Sequence, residues 1–562
     1  MIRRFVGICF CLNVCLESLH AEAKEQQTLL APTEGETWAG DSLHYIQWKA
    51  SQSKAREEVT AEYSLDDGDS WSEVIVIRSL KGKILWQVPN QSSEKCLVRV
   101  TGRRGRRLES GSFSIIPSQE VFGYKWANVI RKAPYASRDG AGALVFKDKM
   151  WLIGGWNPGD KKHFPRITNN EVWNTSDGVG WNLVKPNSFL DRNFDAASDW
   201  EGRHTGGYVV YKDKMWLVGG DANLGHYQND VWNSADGKNW NYVNKKRDVP
   251  WGPRMLHYTL VFKDKIWVMG GQTLPSFAPS KEIFYRDIWN TTDGVNWTKI
   301  KPQESYWTTR GMISGSVVFK KRMWILGGGT YDTPKTPTRN YYNDVWSSED
   351  GVEWQRHVES APWYPRQYHS VAVFDDRMWV LGGYNHGDRN DVWYSKDGVN
   401  WYQLRTTPWA RRHATSVFVH KNAVWIAAGS YMGADVWKLQ RHPDPAGETR
   451  STQTIAALLK NVAIGLYGFG DRVAYIFDDK HPDKSPYPLN TSDGRTVSTP
   501  IYSATFGLNF FGLNKKNTYA QLRINPDGTI HFEKWIDGGE GLEIQIDNKT
   551  NPPTVIARPV KK

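Results

Sequence analysis

Cysteine is nearly absent. The chain of 562 residues holds four, and three of them, Cys9, Cys11 and Cys15, stand within the first fifteen positions. Only Cys96 lies in the body of the chain, so no internal disulfide framework is written into it. A lone cysteine among β-forming residues is expected as a buried apolar filler. Long apolar runs are missing too. The stretch Phe5–Val14 follows Arg3 and Arg4 and is too short to span a bilayer. With Ala21-Glu22-Ala23 behind it as a small-x-small cleavage site, residues 1–23 read as an export signal. Leu12-Asn13-Val14-Cys15 is similar to a lipoprotein site but carries Val14 where a small residue is expected. Ordinary cleavage is the expectation and a lipid anchor at Cys15 the alternative. The destination, whether periplasm, cell surface or medium, stays open.

No HExxH, no paired CxxC and no glycine-rich phosphate loop occurs, and no Ser-His-Asp set stands out by spacing. No cofactor and no metal are therefore implied. Charge is not concentrated either. The net charge is +11, but the basic residues are dispersed, and RRGRR at Arg103–Arg107 is the one tight cluster, in a predicted hairpin turn. Nucleic acid is not an expected partner.

Tryptophan is what the chain has in excess, with 29 residues. Eighteen recur three to a unit. From Trp363 to Leu404 one unit breaks into four apolar runs, SVAVF, RMWVLGG, DVWYS and WYQL, bounded by turn residues. That pattern predicts four antiparallel strands. MWLIGG, MWLVGG, IWVMGG, MWILGG, MWVLGG and VWIAAG end near residues 155, 220, 271, 328, 383 and 429, at intervals of 65, 51, 57, 55 and 46. A period near fifty with four strands and a Gly-Gly signature resembles the kelch repeat of β-propellers. The resemblance covers roughly residues 120 to 440. The large rings at fixed strand positions are expected to pack between blades.

Five units carry an Asp-Gly turn followed by tryptophan: SDGVGW, ADGKNW, TDGVNW, EDGVEW and KDGVNW. The sixth lacks it and runs from Asp435-Val436-Trp437 into RHPDPAGETR. The missing strand has a counterpart upstream. Gly123–Ile130, GYKWANVI, aligns with Gly398–Arg405, GVNWYQLR. The strand at 124–130 is thus predicted to complete the last blade and close the ring.

The expected architecture is all-β: a β-sandwich of fibronectin III or immunoglobulin type over 28–118, a six-bladed propeller over 119–441, and a small β-rich domain of unassigned type over 446–562. The sandwich contains Ser64-Leu65-Asp66-Asp67-Gly68-Asp69-Ser70-Trp71, an Asp-box, which is read as a structural hairpin turn. In the last region IAALLKNVAIGLYG suits a helix or a strand pair. Asp478, Asp479 and Asp483 suit a solvated turn better than a calcium loop.

An aromatic stands three residues before an arginine ahead of each first strand. The pairs are Tyr135/Arg138, Trp200/Arg203, Trp251/Arg254, Trp307/Arg310, Trp363/Arg366 and Trp409/Arg412. The kelch resemblance implies that these loops open on the usual ligand face. Six guanidinium groups there would suit carboxylate, phosphate or sulfate, with Trp251, Trp307, Trp363 and Trp409 suiting sugar faces. The competing reading is scaffold, since a residue present in every blade is first a packing solution. Positions where blades differ are then the better guide, above all the long loops in blades one, three and four. His163, His226 and His386 lie in loops between second and third strands. His204, His257, His369 and His413 follow the repeat arginine and are expected as framework. Glu201 and Glu304 are the acidic residues nearest the mouth.

The resemblance implies a binding module for a glycan or an extracellular protein. An alternative is a carbohydrate-active enzyme similar to the kelch-type N-acetylneuraminate epimerases, acting on an acidic sugar. A third is a structural surface or adhesion component. A copper-radical galactose oxidase is excluded, because its cross-linked cysteine has no counterpart in the repeats.

Overall fold

The computed structural model describes residues 29–441, apart from 50–56, 80–81, 103–104, 119–122, 164–166, 224–225, 246–248, 275–280, 312–314, 405–406 and 408. Beyond 441 it describes only the backbone of short strands. The export-signal reading, the run 455–466 and the acidic stretch near 480 fall outside the described residues.

Six four-stranded antiparallel sheets form a ring. Their first strands are Gly142–Phe146, Gly207–Tyr211, Tyr258–Phe262, Ser316–Phe319, Ser370–Phe374 and Ser416–His420. Each first strand touches that of the next sheet, and the sixth touches the first. The ring is therefore closed. Second strands such as Lys149–Ile153 are buried on both faces beyond their first residue, because a blade lies on either side. That is why they read as unbroken apolar runs rather than as alternation.

The Gly-Gly pair ends these strands in a conformation that side chains resist. Gly154 and Gly155 have φ of 64° and 112°. In the sixth blade Ala428 holds the equivalent position at φ 57°, a strained setting for a residue with a Cβ.

Tryptophan spacing sets the packing between blades. The second-strand ring of one blade lies against the Asp-Gly turn of the next: Trp151 under Gly237, Trp216 under Gly294, Trp267 under Gly351 and Trp324 under Gly398. Trp425 of the sixth blade lies under Gly178 of the first, which carries the contact across the seam. The sixth sheet has the order Ser416–His420, Ala423–Ala427, Val436–Arg441, Tyr124–Ile130. Its outer strand thus comes from ahead of the first blade, with Leu439 opposite Trp126 and Trp437 opposite Asn128. Tyr124 fills the place of the absent turn, edge-on to Trp379 at 4.8 Å.

Ahead of the ring, two sheets enclose one core. The larger runs Thr37–Ala39, Phe113–Ile116, Ser93–Thr101, Glu57–Ser64, Ser72–Ser79, and the smaller pairs Leu43–Gln47 with Lys83–Gln87. Trp38, Ile46, Trp86, Cys96 and Phe113 meet between them. Burial raises the Cys96 thiol to about 12, so it stays an inert apolar group. The Asp-box is a hairpin turn: the Gly68 N–H donates to Ser64 Oγ and the Trp71 indole to the Gly68 carbonyl. The blades repeat this bonding, as Gly178 with Thr175 and Trp181 with Gly178 show.

This unit docks on blade five. The Leu43 N–H donates to the Trp401 carbonyl at 2.9 Å, the Ala39 N–H to Asn400 Oδ1 at 2.8 Å, and Leu43 and Tyr45 enter the core around Trp401. Past the ring, Ile530–Gly539, Asn517–Ile524, Thr554–Pro559 and Leu542–Asp547 form a four-stranded sheet in that order.

Removing the closing strand should open the ring. A chain beginning at residue 123 is expected to unfold in one cooperative transition. One beginning at residue 131 should melt at clearly lower temperature, because the edge of Val436–Arg441 is left bare. Calorimetry of the two truncations checks this. Equal transitions would show that the strand closes nothing.

Candidate functional site

The six repeat arginines do not reach the mouth of the ring. Arg138, Arg203, Arg254, Arg366 and Arg412 are 0% exposed and Arg310 is 1% exposed. Each donates through Nη1 to the carbonyl of the first residue of the Gly-Gly pair: Gly154, Gly219, Gly270, Gly327, Gly382 or Ala428. Each also pairs with the carboxylate two residues before the third-strand tryptophan. Arg138 takes Glu171, Arg203 takes Asp230, Arg254 takes Asp287, Arg310 takes Asp344, Arg366 takes Asp391 and Arg412 takes Asp435. That carboxylate accepts the tryptophan N–H in turn. One clamp thus joins the entry to strand one, the end of strand two and the start of strand three.

Trp251, Trp307, Trp363 and Trp409 are buried as well, edge-on to Trp297, Trp354, Trp401 and Trp126 within their own blades. The arginines and these four rings are scaffold. The ligand-binding expectation for them is corrected, because repetition placed them where every blade needs the same support.

His257 and His369 belong to the same framework. Their Nε2 atoms meet the carbonyls of Val218 and Leu326. Burial, then the charges of Arg254 and Arg366, push both down to about 3.

The residue after each arginine is of five types in six blades: Asp139, His204, Met255, Gly311, Gln367 and His413. Five of these bridge through the backbone to the residue that follows the Gly-Gly pair, namely Trp156, Asp221, Gln272, Gly329 and Tyr384. The Ser430 N–H reaches the His413 carbonyl in the same way. One residue further on, the backbones bond from blade to blade. Leu256 donates to Thr205, Thr205 to Gly140, Gly140 to Ala414 and Ala414 to Tyr368. This belt draws the first strands together at the centre, and Asp139, His204 and His413 sit at its rim.

These side chains form a line across four consecutive blades. Asp388 Oδ1 lies 2.6 Å from His413 Nδ1, and its other oxygen accepts Ser430 Oγ–H. His413 Nε2 lies 3.9 Å from Asp139 Oδ2, and His204 Nε2 lies 3.4 Å from Asp139 Oδ1. Burial works against protonated His413, but the Asp388 hydrogen bond and charge outweigh it and raise its pKa. Burial likewise opposes the Asp388 charge, and His413 more than offsets it.

Aromatic rings surround the line. Tyr368 and Tyr384 lie 5.0 and 5.4 Å from His413, and Trp156 lies 5.8 Å from His204. The Tyr368 hydroxyl donates to the Tyr331 hydroxyl at 2.6 Å. Arg339 covers the Tyr331 ring and bonds Asp332.

The framework expectation thus holds for His257 and His369, while His204 and His413 face the rim. Of the loop histidines, His163 pairs with Asp160, His226 with Glu201, and His386 packs on Tyr341. Glu304 is exposed on the surface. Sequence reasoning passed over Asp139, Asp388, Tyr331, Tyr368 and Tyr384. The available signal was the change of residue type next to an unchanging arginine. Among the described residues no group of three or more His, Cys, Asp or Glu is arranged to hold a metal ion. No helix there is long and apolar enough to cross a membrane.

The blade geometry, the Gly-Gly ends and the seam decide the type. The ring is a kelch-repeat propeller. Among curated proteins, the kelch repeat protein M-T8 of Myxoma virus (strain Lausanne) is 26% identical over 248 residues, 43% of this chain. The chain spans 41% of that relative's length. Among solved structures, that of YjhT aligns with a TM-score of 0.40 at 13% identity, covering 55% of this chain and 95% of the other. No family model matches.

Two outcomes follow from the buried groups of this kelch propeller. Asp391→Ala leaves Arg366 buried without its partner and should cost about 3–5 kcal/mol in urea unfolding. Replacing both residues with apolar ones should cost less. The buried histidines set a pH window. Unfolded histidine titrates near 6.5, whereas His257 and His369 resist protonation down to about 3. Between those values the unfolded chain binds more protons, so stability falls as pH drops. His413 acts outside this window: its pKa is raised, so its stabilisation is complete below about 6.5 and is lost as pH rises above that value. The unfolding free energy measured across this window should flatten in a His257→Gln/His369→Gln variant, and an unchanged slope would place the acid sensitivity elsewhere.

Proposed function

We propose that the chain is an exported kelch-propeller binding module whose ligand is a saccharide seated at the rim formed by Asp139, His204 and His413. The observation that carries this is the gathering of varying polar and aromatic side chains at one end of a ring whose six repeated arginines are all buried scaffold. Tyrosine and tryptophan faces suit the apolar faces of sugar rings. Imidazole, phenol and carboxylate groups supply donors and acceptors for hydroxyls. Export rests on the leader-like residues 1–23. A purely structural role would leave no reason for the rim to diverge from blade to blade.

A second reading, a carbohydrate-active enzyme, is favoured by one feature. His413 is oriented by Asp388 on one nitrogen and faces Asp139 with the other, an arrangement fit for proton transfer. An acidic sugar loses its support, because the arginines meant to receive it are internal.

A glycan array probed with the full chain tests the binding reading. Trp156→Ala and Tyr384→Ala should each weaken the selected glycan about tenfold with little change in melting temperature. Binding that survives both substitutions, or the absence of any glycan ligand for folded protein, would refute it.

A further inference from the structure

Among the carboxylates at the rim, Asp139 is the one without a close donor. Asp332 has Arg339, and Asp388 has His413 and Ser430 and feels the charge of Arg411. Asp139 is 2% exposed. Its Oδ1 accepts no hydrogen bond among the described residues. The nearest imidazole nitrogens stand 3.4 and 3.9 Å away, beyond the 2.7–3.2 Å that N–H···O bonds prefer. A buried carboxylate left this way carries an unmet demand for hydrogen-bond donors at Oδ1, with the raised pKa of His413 favouring the imidazolium on its other side.

Three facts show where that demand points. His204 and His413, on either side, are about one-fifth exposed, so solvent reaches the imidazoles that flank Asp139. The backbone beside it is fixed from blade to blade by the bonds of Gly140 to Ala414 and of Thr205 to Gly140. The half-buried rings of Trp156 and Tyr384 stand beside these histidines. The geometry points to a seat for a protonated amino group, and we propose that the saccharide bound at this rim is an amino sugar with a free amine held by Asp139.

An ammonium group offers three donors and one positive charge from a compact centre. It answers both oxygens of Asp139 while the flanking imidazoles accept or yield hydrogen bonds with its neighbouring hydroxyls. An N-acetylated sugar brings one donor and no charge. A sugar acid brings a second negative charge beside a buried one, which is repulsive at short range. The saccharide reading is assumed here, and only the ligand's charge class is added.

Isothermal titration of the full chain with a glucosamine oligosaccharide, its N-acetylated counterpart and N-acetylneuraminate separates the cases. The free amine should bind about 10- to 100-fold tighter than the acetylated form, and the acid should not bind. Asp139→Asn keeps the shape and removes the charge. It should bring the free amine down to the acetylated level while leaving the acetylated form unchanged. Equal affinity of wild type for both oligosaccharides, or tighter binding of the acid, overturns the amine seat but keeps a saccharide site. Binding of none overturns both readings. The wild-type ratio needs no variant, so a destabilised Asp139→Asn chain would not protect the proposal. A merely structural Asp139 would shift the melting temperature and leave the ratio untouched.

Discussion

Each blade depends on an arginine buried against a carboxylate. Such a pair is costly to desolvate, and its attraction repays that cost only when the remaining donors are met. Here they are met by a glycine carbonyl (that of Ala428 in the sixth blade), by a carbonyl two residues back and by the carboxylate, which is itself held by an indole N–H. The clamp fixes three strand ends to one another at the point where the chain enters a blade. It therefore fixes the direction in which the next residue leaves, and that residue is Asp139, His204 or His413 in the blades that matter most. A rigid repeated support lets its neighbour vary without loss of the fold.

The ring was legible because its signals are local and redundant. MWLIGG and its relatives state burial on both faces, the Asp-Gly turn states a hairpin, and the likeness of GYKWANVI to GVNWYQLR names the seam. Each follows from a residue's own geometry or size. The rim was legible only in part. Arginine invites a reading as a ligand group because its charge is visible in the sequence, whereas its partner Asp391 lies 25 residues away on another strand. His204 and His413 follow the repeat arginine by one residue and His257 and His369 by three, but nothing in that spacing alone says which position faces the rim and which the interior. Asp139 and Asp388 are ordinary aspartates until four blades bring them into line.

The same contrast explains the arrangement of the whole ring. The arginine clamp that occurs six times holds it together, and the position beside it varies, with His204 and His413 partly exposed and Asp139, Met255 and Gln367 buried. Glycine at 311 and 329 leaves the fourth blade without side chains at the rim, where the backbone of Leu256 and the side chain of Gln367 already crowd the space. The fourth blade contributes through its long loop instead, with Tyr331, Asp332 and Arg339.

The seam has a consequence for biosynthesis. Tyr124–Ile130 leaves the ribosome early, and its partner Val436–Arg441 follows roughly 300 residues later. During that interval the strand has no edge to join. The domain translated just before it docks on Trp401 and Asn400 of blade five, next to the blade the strand must complete. Once blade five exists, that contact tethers the waiting strand beside the vacant edge and raises its local concentration there. The leading domain thus serves as a built-in guide for the last act of folding, and it shortens the time during which a bare strand edge is open to other chains.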